Sequence, residues 1–290
     1  MRSEKEMYDL ILNVAKSLPQ VKAVALTGSR ANQVAPKDIF QDYDVVYFVE
    51  EKKPLLRDRS WLEGFGKRVI MQCPEEMDLF PATLGECFTF LMLFSDGNRI
   101  DLMLCPIKNK QEWLVTEKNV EVLWDPTQLL SFLNDGSKKM PYLVKKPTQA
   151  EFLDCCNEFW WVSTYVVKGL RRQENLYAID HLYGNCQREL RRLLTWHVAS
   201  RQNYTIDTGK NDKYLLKLLS TDTSQQFTQL LDFTTRIKIW ESLFSTQQFF
   251  HQTAINYADK FDFSYDLETA EDVLNYCRQW APSDFNANCK

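Results

Sequence analysis

Several common signatures are missing from this 290-residue chain, and each absence narrows what it can be. No apolar run approaches the length needed to cross a bilayer as a helix. The opening residues, MRSEKEMYDLILNVAKSL, contain neither an apolar core nor a small-residue cleavage site of a secretory leader. No membrane association is expected, and the expected location is cytoplasmic. The eight cysteines include one adjacent pair, Cys155-Cys156, but no C-x-x-C and no Cys/His spacing of a zinc site. A disulfide framework is therefore not expected, and the thiols read as reduced core residues. Neither G-x-G-x-x-G nor G-x-x-x-x-G-K-[ST] occurs, so Rossmann and P-loop readings lose support. None of the three histidines, His181, His197 and His251, accompanies a serine or cysteine in a nucleophile motif. There is no internal repeat and no low-complexity tract. Nor is there an excess of basic residues: the formal charge is −4, which weighs against a nucleic-acid partner and mildly for a cationic one. Arg171-Arg172, Arg188 and Arg191-Arg192 lie at helical spacing near Glu174 and Glu189 and read as solvated, ion-paired faces.

What is present begins with Asp42-Tyr43-Asp44, which opens the apolar run Val45 to Val49. That run is β-branched and aromatic, too short for a typical helix, and reads as a buried strand. Side chains two apart on an extended segment share a face, so Asp42 and Asp44 converge. Their mutual repulsion is relieved by a hard divalent cation such as Mg²⁺, which combines one or two carboxylates with substrate phosphate. The competing reading is two exposed aspartates at a strand end. A second β-prone run, Val21 to Thr27, stops at Gly28-Ser29-Arg30, where backbone amides at a glycine could grip phosphate. Downstream, Cys87 to Phe94 and Arg99 to Leu104 read as a hairpin across Ser95-Asp96-Gly97-Asn98. Asp101 interrupts the apolar pattern of the second of these strands; its bland alternative is a solvent-facing residue on an edge strand.

The organisation changes near the middle. Met7, Leu10, Ile11, Val14 and Leu18 mark one amphipathic helix stopped by Pro19, and a strand-rich stretch follows to about Asp125. A Gly/Pro/Lys-rich connector comes next, then Thr148-Gln149-Ala150-Glu151, a capping box that starts a helix. Phe152 to Leu170 sustain a helical core stripe, and similar periodicity recurs at Leu176 to Leu194, Tyr214 to Leu219, Ile237 to Ala258 and Ala270 to Trp280. The expected fold class is α+β: a mixed-sheet domain over 1–135, a linker over 136–147 and an all-helical domain over 148–290.

The order strand, Gly-Ser, D-x-D strand, then a strand bearing one aspartate resembles the nucleotidyltransferase superfamily typified by DNA polymerase β. The wording LTGSRAN at Leu26 to Asn32, DIFQDYDVVYFV at Asp38 to Val49, RIDLML at Arg99 to Leu104 and AIDHL at Ala178 to Leu182 resembles, more narrowly, the bacterial aminoglycoside 6-adenylyltransferases. The resemblance implies transfer of AMP from ATP to the 6-hydroxyl of streptomycin, with Mg²⁺ as cofactor. It implies Asp42, Asp44 and Asp101 as catalytic residues and metal ligands, Asp101 serving as ligand, as proton acceptor, or as both in turn. Gly28, Ser29 and Arg30 would seat the triphosphate. The helical domain would supply Lys210 and Lys213 to the phosphates, with the aminoglycoside expected between the domains. Asp180 is the drug-binding candidate: no Lys or Arg stands four residues away, at Leu176 or Gly184, and an ordinary helix-surface aspartate is the equal alternative that the resemblance outweighs. The alternatives are a nucleotidyltransferase acting on RNA or protein, which should carry a basic channel or stacking aromatics, and a non-catalytic nucleotide-binding protein.

Overall fold

The computed structural model describes residues 1–32, 35–117, 119–131 and 142–282 and divides the chain into two compact units, residues 1–141 and 142–290. The first half of the expected linker, 136–141, lies outside the described residues. Its remainder, 142–147, belongs to the second unit, where Leu143 bridges to Asp207.

The first unit is built on a sheet that has six strands among the described residues: β1 (Val21–Leu26), β2 (Tyr43–Val49), β3 (Arg68–Gln72), β4 (Phe88–Phe94), β5 (Arg99–Pro106) and β6 (Glu121–Trp124). Their order across the sheet is β3-β4-β5-β2-β1-β6. The sheet is mixed, because β2 and β5 run parallel while the other neighbours are antiparallel. β4 and β5 form the expected hairpin; Gly97, at φ +86°, supplies the left-handed turn residue, and its amide donates to the Phe94 carbonyl. β3 and β6, which flank the sheet, carry less apolar sequence than the central strands and were not individually legible.

Strand alternation divides the unit into two cores. Tyr43, Val45, Tyr47 and Val49 of β2 and Ile100, Leu102 and Leu104 of β5 face helix α1 (Glu4–Ser17), whose Met7, Ile11 and Val14 are buried against them. The Tyr47 hydroxyl donates to the Ile11 carbonyl at 2.6 Å, satisfying a polar tip that burial would otherwise penalise. The opposite face carries Val46, Phe48 and Cys105, with Trp113 packed edge-on to Phe48. Two further short helices, α2 (Gly28–Ala31) and α3 (Lys53–Arg57), precede α4 (Lys110–Thr116) in the chain.

The second unit is helical. Its described helices are α5 (Gln149–Arg171), α6 (Asn175–His181), α7 (Gln187–Ser200), α8 (Leu215–Leu218), α9 (Thr221–Gln229), α10 (Arg236–Phe261) and α11 (Leu267–Gln279). The capping box at the head of α5 is present in both directions, Thr148 accepting from the Glu151 amide and Glu151 from that of Thr148. The apolar stripe from Phe152 to Leu170 is buried, and Phe159 stacks on Phe250 of α10 with ring centroids 3.7 Å apart. The periodicity from Leu176 to Leu194 is interrupted by one π-helical turn, Leu182–Cys186, between α6 and α7. Arg188 and Arg192 pair with Glu189, which is buried rather than solvated as expected. Seven described cysteines are free, and all except the half-buried Cys73 are buried. Among the described residues no helix is long and apolar enough to cross a membrane.

Candidate active site

The parallel pairing of β2 with β5 sets Asp44 directly opposite Asp101. Since Tyr43 and Val45 face the α1 core, Asp44 between them projects from the other face, beside the smaller core. The same alternation sends Asp101, between Ile100 and Leu102, to that face too. β5 is interior to the sheet, so the edge-strand alternative for Asp101 falls away. Asp42 lies just before the first residue of β2 and is also partly buried.

Three carboxylates at the starting ends of two adjacent strands repel one another, and Asp44 registers the cost. Burial first, then the charges of Asp101 and Asp42, push its carboxyl up to about 6. Asp101 is handled differently. Arg99, two residues earlier on the same face, donates from Nε and Nη2 to the two Asp101 oxygens at 2.8 Å each. Its Nε also lies 3.7 Å from Asp42 Oδ2. The hydrogen bonds to Asp101 hold the Arg99 guanidinium above its ordinary pKa. Arg99 was not singled out from the sequence. The available signal was its place two residues before Asp101, but its reach to Asp42 depends on the β2–β5 pairing.

Gly28 is pressed against this cluster. It begins α2 at φ +65°, and a Cβ built on it would stand 1.9 Å from Asp44 Oδ2. The Thr27 amide donates to the Asp44 carbonyl at 2.8 Å, which ties the end of β1 to the start of β2. Gly28 and Ser29 thus sit in one short helical turn beside the carboxylates. Arg30 is placed otherwise than expected of a phosphate ligand, its side chain being 10% exposed. Its Nε donates to the Asp42 carbonyl at 3.1 Å and Nη2 to the Gln41 carbonyl at 2.8 Å, while Nη1 meets Glu4 at 3.2 Å. The guanidinium also lies 3.8 Å from the centre of the Tyr43 ring. These contacts grip the segment leading into Asp42 and Asp44.

The remaining candidates belong to the helical unit. Asp180 is exposed near the end of α6, with no hydrogen-bond or ion-pair partner among the described residues. Its neighbours Ala178 and Leu182 take the inward positions. Lys210 and Lys213 are exposed around a single tight turn, Lys210–Asp212, that follows Gly209 at φ +72°. Lys213 Nζ stands 5.0 Å over the Tyr214 ring.

The carboxylate oxygens of Asp42, Asp44 and Asp101 are the donor type a hard divalent cation takes, and Asp44 is raised first by burial and then by its acidic neighbours. As the side chains stand, with Arg99 on Asp101, no group of three His, Cys, Asp or Glu residues among those described is gathered as a ready metal shell. Two carboxylates plus substrate phosphate suffice for Mg²⁺, so the residues fit the ion without a full protein cage.

A mixed sheet that pairs a D-x-D strand with a second aspartate strand, and turns a glycine onto the carboxylates, defines the chain as a nucleotidyltransferase. It belongs to the streptomycin adenylyltransferase family, whose profile matches residues 1–280. It is 42% identical over 253 residues to an aminoglycoside 6-adenylyltransferase of Bacillus subtilis (strain 168), covering 87% of this chain and 89% of the relative. It is 38% identical over 276 residues to one from Campylobacter jejuni, covering 95% of each. A crystal structure of an aminoglycoside 6-adenyltransferase from Bacillus subtilis overlaps 97% of this chain and 99% of its own, at 36% identity and a TM-score of 0.48. Family membership rests on the sequence matches.

Proposed function

We propose that this chain inactivates streptomycin by transferring AMP from ATP to the drug's 6-hydroxyl. Family membership and the curated relatives support adenylyl transfer to an aminoglycoside. The observation that carries the chemistry is the register of Asp44 against Asp101, which concentrates negative charge at one point of the sheet beside Gly28.

Asp42, Asp44 and Asp101 would hold Mg²⁺, which when bound neutralises phosphate charge and stabilises the charge that develops on in-line displacement of pyrophosphate. The chain's own residues prepare that event. Gly28, lacking a side chain, lets the Asp44 carboxylate pack against the end of β1, and the Gly28-Ser29 turn offers backbone amides to a phosphate. Arg30 fixes the backbone of Gln41 and Asp42, so the carboxylates are aimed before substrate arrives. Asp101 is the acceptor proposed for the attacking hydroxyl's proton once its oxygens are released from Arg99. In the helical unit, Asp180 is proposed to receive a guanidinium of the drug and Lys210 and Lys213 to bind the triphosphate. A cytoplasmic site of action belongs to the same proposal, since ATP is supplied there.

The test is incubation with ATP, Mg²⁺ and a panel of aminoglycosides, with RNA and protein acceptors in parallel, followed by mass spectrometry for added AMP. Modification of streptomycin at its 6-hydroxyl is the expected result. Labelling of RNA or protein with no drug modified would refute the proposal.

A further inference from the structure

Outside the carboxylates themselves, the most pointed arrangement in the site is Arg99. Its guanidinium spends two parallel donors on Asp101 and leans to Asp42, so one positive charge is set among three negative ones. The negative charge is therefore only partly offset, and Glu117 adds to it at Asp44. An arginine fork on a carboxylate is directional and satisfies both oxygens together, unlike a hydrated lysine charge. Asp101 is only 19% exposed whereas Arg99 is 43% exposed, so the carboxylate is fixed in the sheet and the arginine is the partner able to leave.

We propose that Arg99 is a built-in counter-ion that competes with the divalent cation for Asp101 and so sets the cation concentration at which the site fills. The proposal rests on the metal-site reading above. Without cation, Arg99 offsets repulsion among Asp42, Asp44 and Asp101 and protects the fold. With cation, Asp101 exchanges the fork for the ion, and the displaced guanidinium remains beside the site as a positioning residue.

The experiment uses the full chain without nucleotide or drug. Mn²⁺ alone is the probe, titrated by electron paramagnetic resonance, with melting temperature recorded in chelator and in saturating Mg²⁺. Arg99→Gln, Arg99→Lys and Asp44→Asn are compared with the unmodified chain. Arg99→Gln should bind Mn²⁺ about two- to fivefold more tightly, the range set by displacing one half-exposed ion pair. It should also melt lower in chelator and gain more from Mg²⁺ than the unmodified chain. Arg99→Lys should fall between them, because it keeps the charge and loses the fork. Equal or weaker Mn²⁺ binding by Arg99→Gln, or no binding by either protein, would overturn the proposal. If Asp44→Asn binds Mn²⁺ as well as the unmodified chain, the metal-site reading fails instead. Should Arg99→Gln not fold, a lysine variant that binds Mn²⁺ no more tightly than arginine decides against the competition.

Discussion

Gly28 and Asp44 occupy space that only a residue without a side chain can share: a β-carbon at position 28 would stand 1.9 Å from Asp44 Oδ2. The backbone at Gly28 also holds φ +65°, a conformation that disfavours other residues. Both constraints act at the same point, where the end of β1 meets the start of β2. Gly28→Ala should therefore cost about 1–3 kcal/mol in strain and push the Asp44 carboxylate aside. Displacing a reacting group by about 1 Å can lower turnover roughly 100-fold. Urea denaturation and steady-state kinetics together check this; an alanine variant with unchanged turnover would show that Asp44 has freedom the packing denies it.

Asp44 also makes a prediction of opposite sign for stability and activity. Its folded carboxyl titrates near 6, above the ordinary aspartate value, so the folded state holds the proton more tightly than the unfolded one. The stabilisation this confers is full below about pH 4 and is lost as pH rises through about 6. In chelator at pH 7.5, Asp44→Asn should accordingly be more stable than the unmodified chain, by about 1–3 kcal/mol, while turnover with Mg²⁺ nearly vanishes. Asp42→Asn should lose turnover in the same way. Melting curves from pH 4 to 8 test the first point; if the two proteins show parallel pH profiles, Asp44 is not the group responsible.

For Arg30 the structure favours a clamp over direct phosphate binding. Arg30→Lys cannot serve the Gln41 and Asp42 carbonyls together as a planar fork does, so stability should fall by about 1.5–3 kcal/mol. Turnover should drop because the segment carrying Asp42 loosens, with ATP affinity changed less than about threefold. Calorimetric titration with ATP separates the two roles. A tenfold loss of ATP affinity with the melting temperature unchanged would return Arg30 to the triphosphate.

Asp180 presents the simplest case, since nothing in the fold depends on it. Asp180→Asn should leave stability within about 0.5 kcal/mol, as for an exposed residue without partners. If it receives a guanidinium of streptomycin, loss of a charge-assisted hydrogen bond worth about 1.5–3 kcal/mol should lower kcat/KM for the drug roughly 10- to 150-fold. ATP binding should be untouched. A kcat/KM within about twofold of the unmodified value would assign recognition to another acid of the helical unit.

Local chemistry carried much of this in the sequence alone. Thr148 and Glu151 announce the head of α5 because a capping box needs only four consecutive residues, and the stripe from Phe152 to Leu170 follows from helical period. Asp42-Tyr43-Asp44 before Val45 was likewise legible, because strand alternation and the rarity of buried aspartate are properties of neighbouring residues. Exposure of Asp180 was not, since the position beside Ile179 is consistent with either side of the helix until α6 and the π turn pack. The tertiary structure alone decided that β2 lies parallel to β5, that Asp44 meets Asp101, that Arg99 reaches Asp42, and that Gly28 closes on Asp44. Strand order is chosen by the burial and pairing of all the strands together, and no stretch of neighbouring residues encodes that sum.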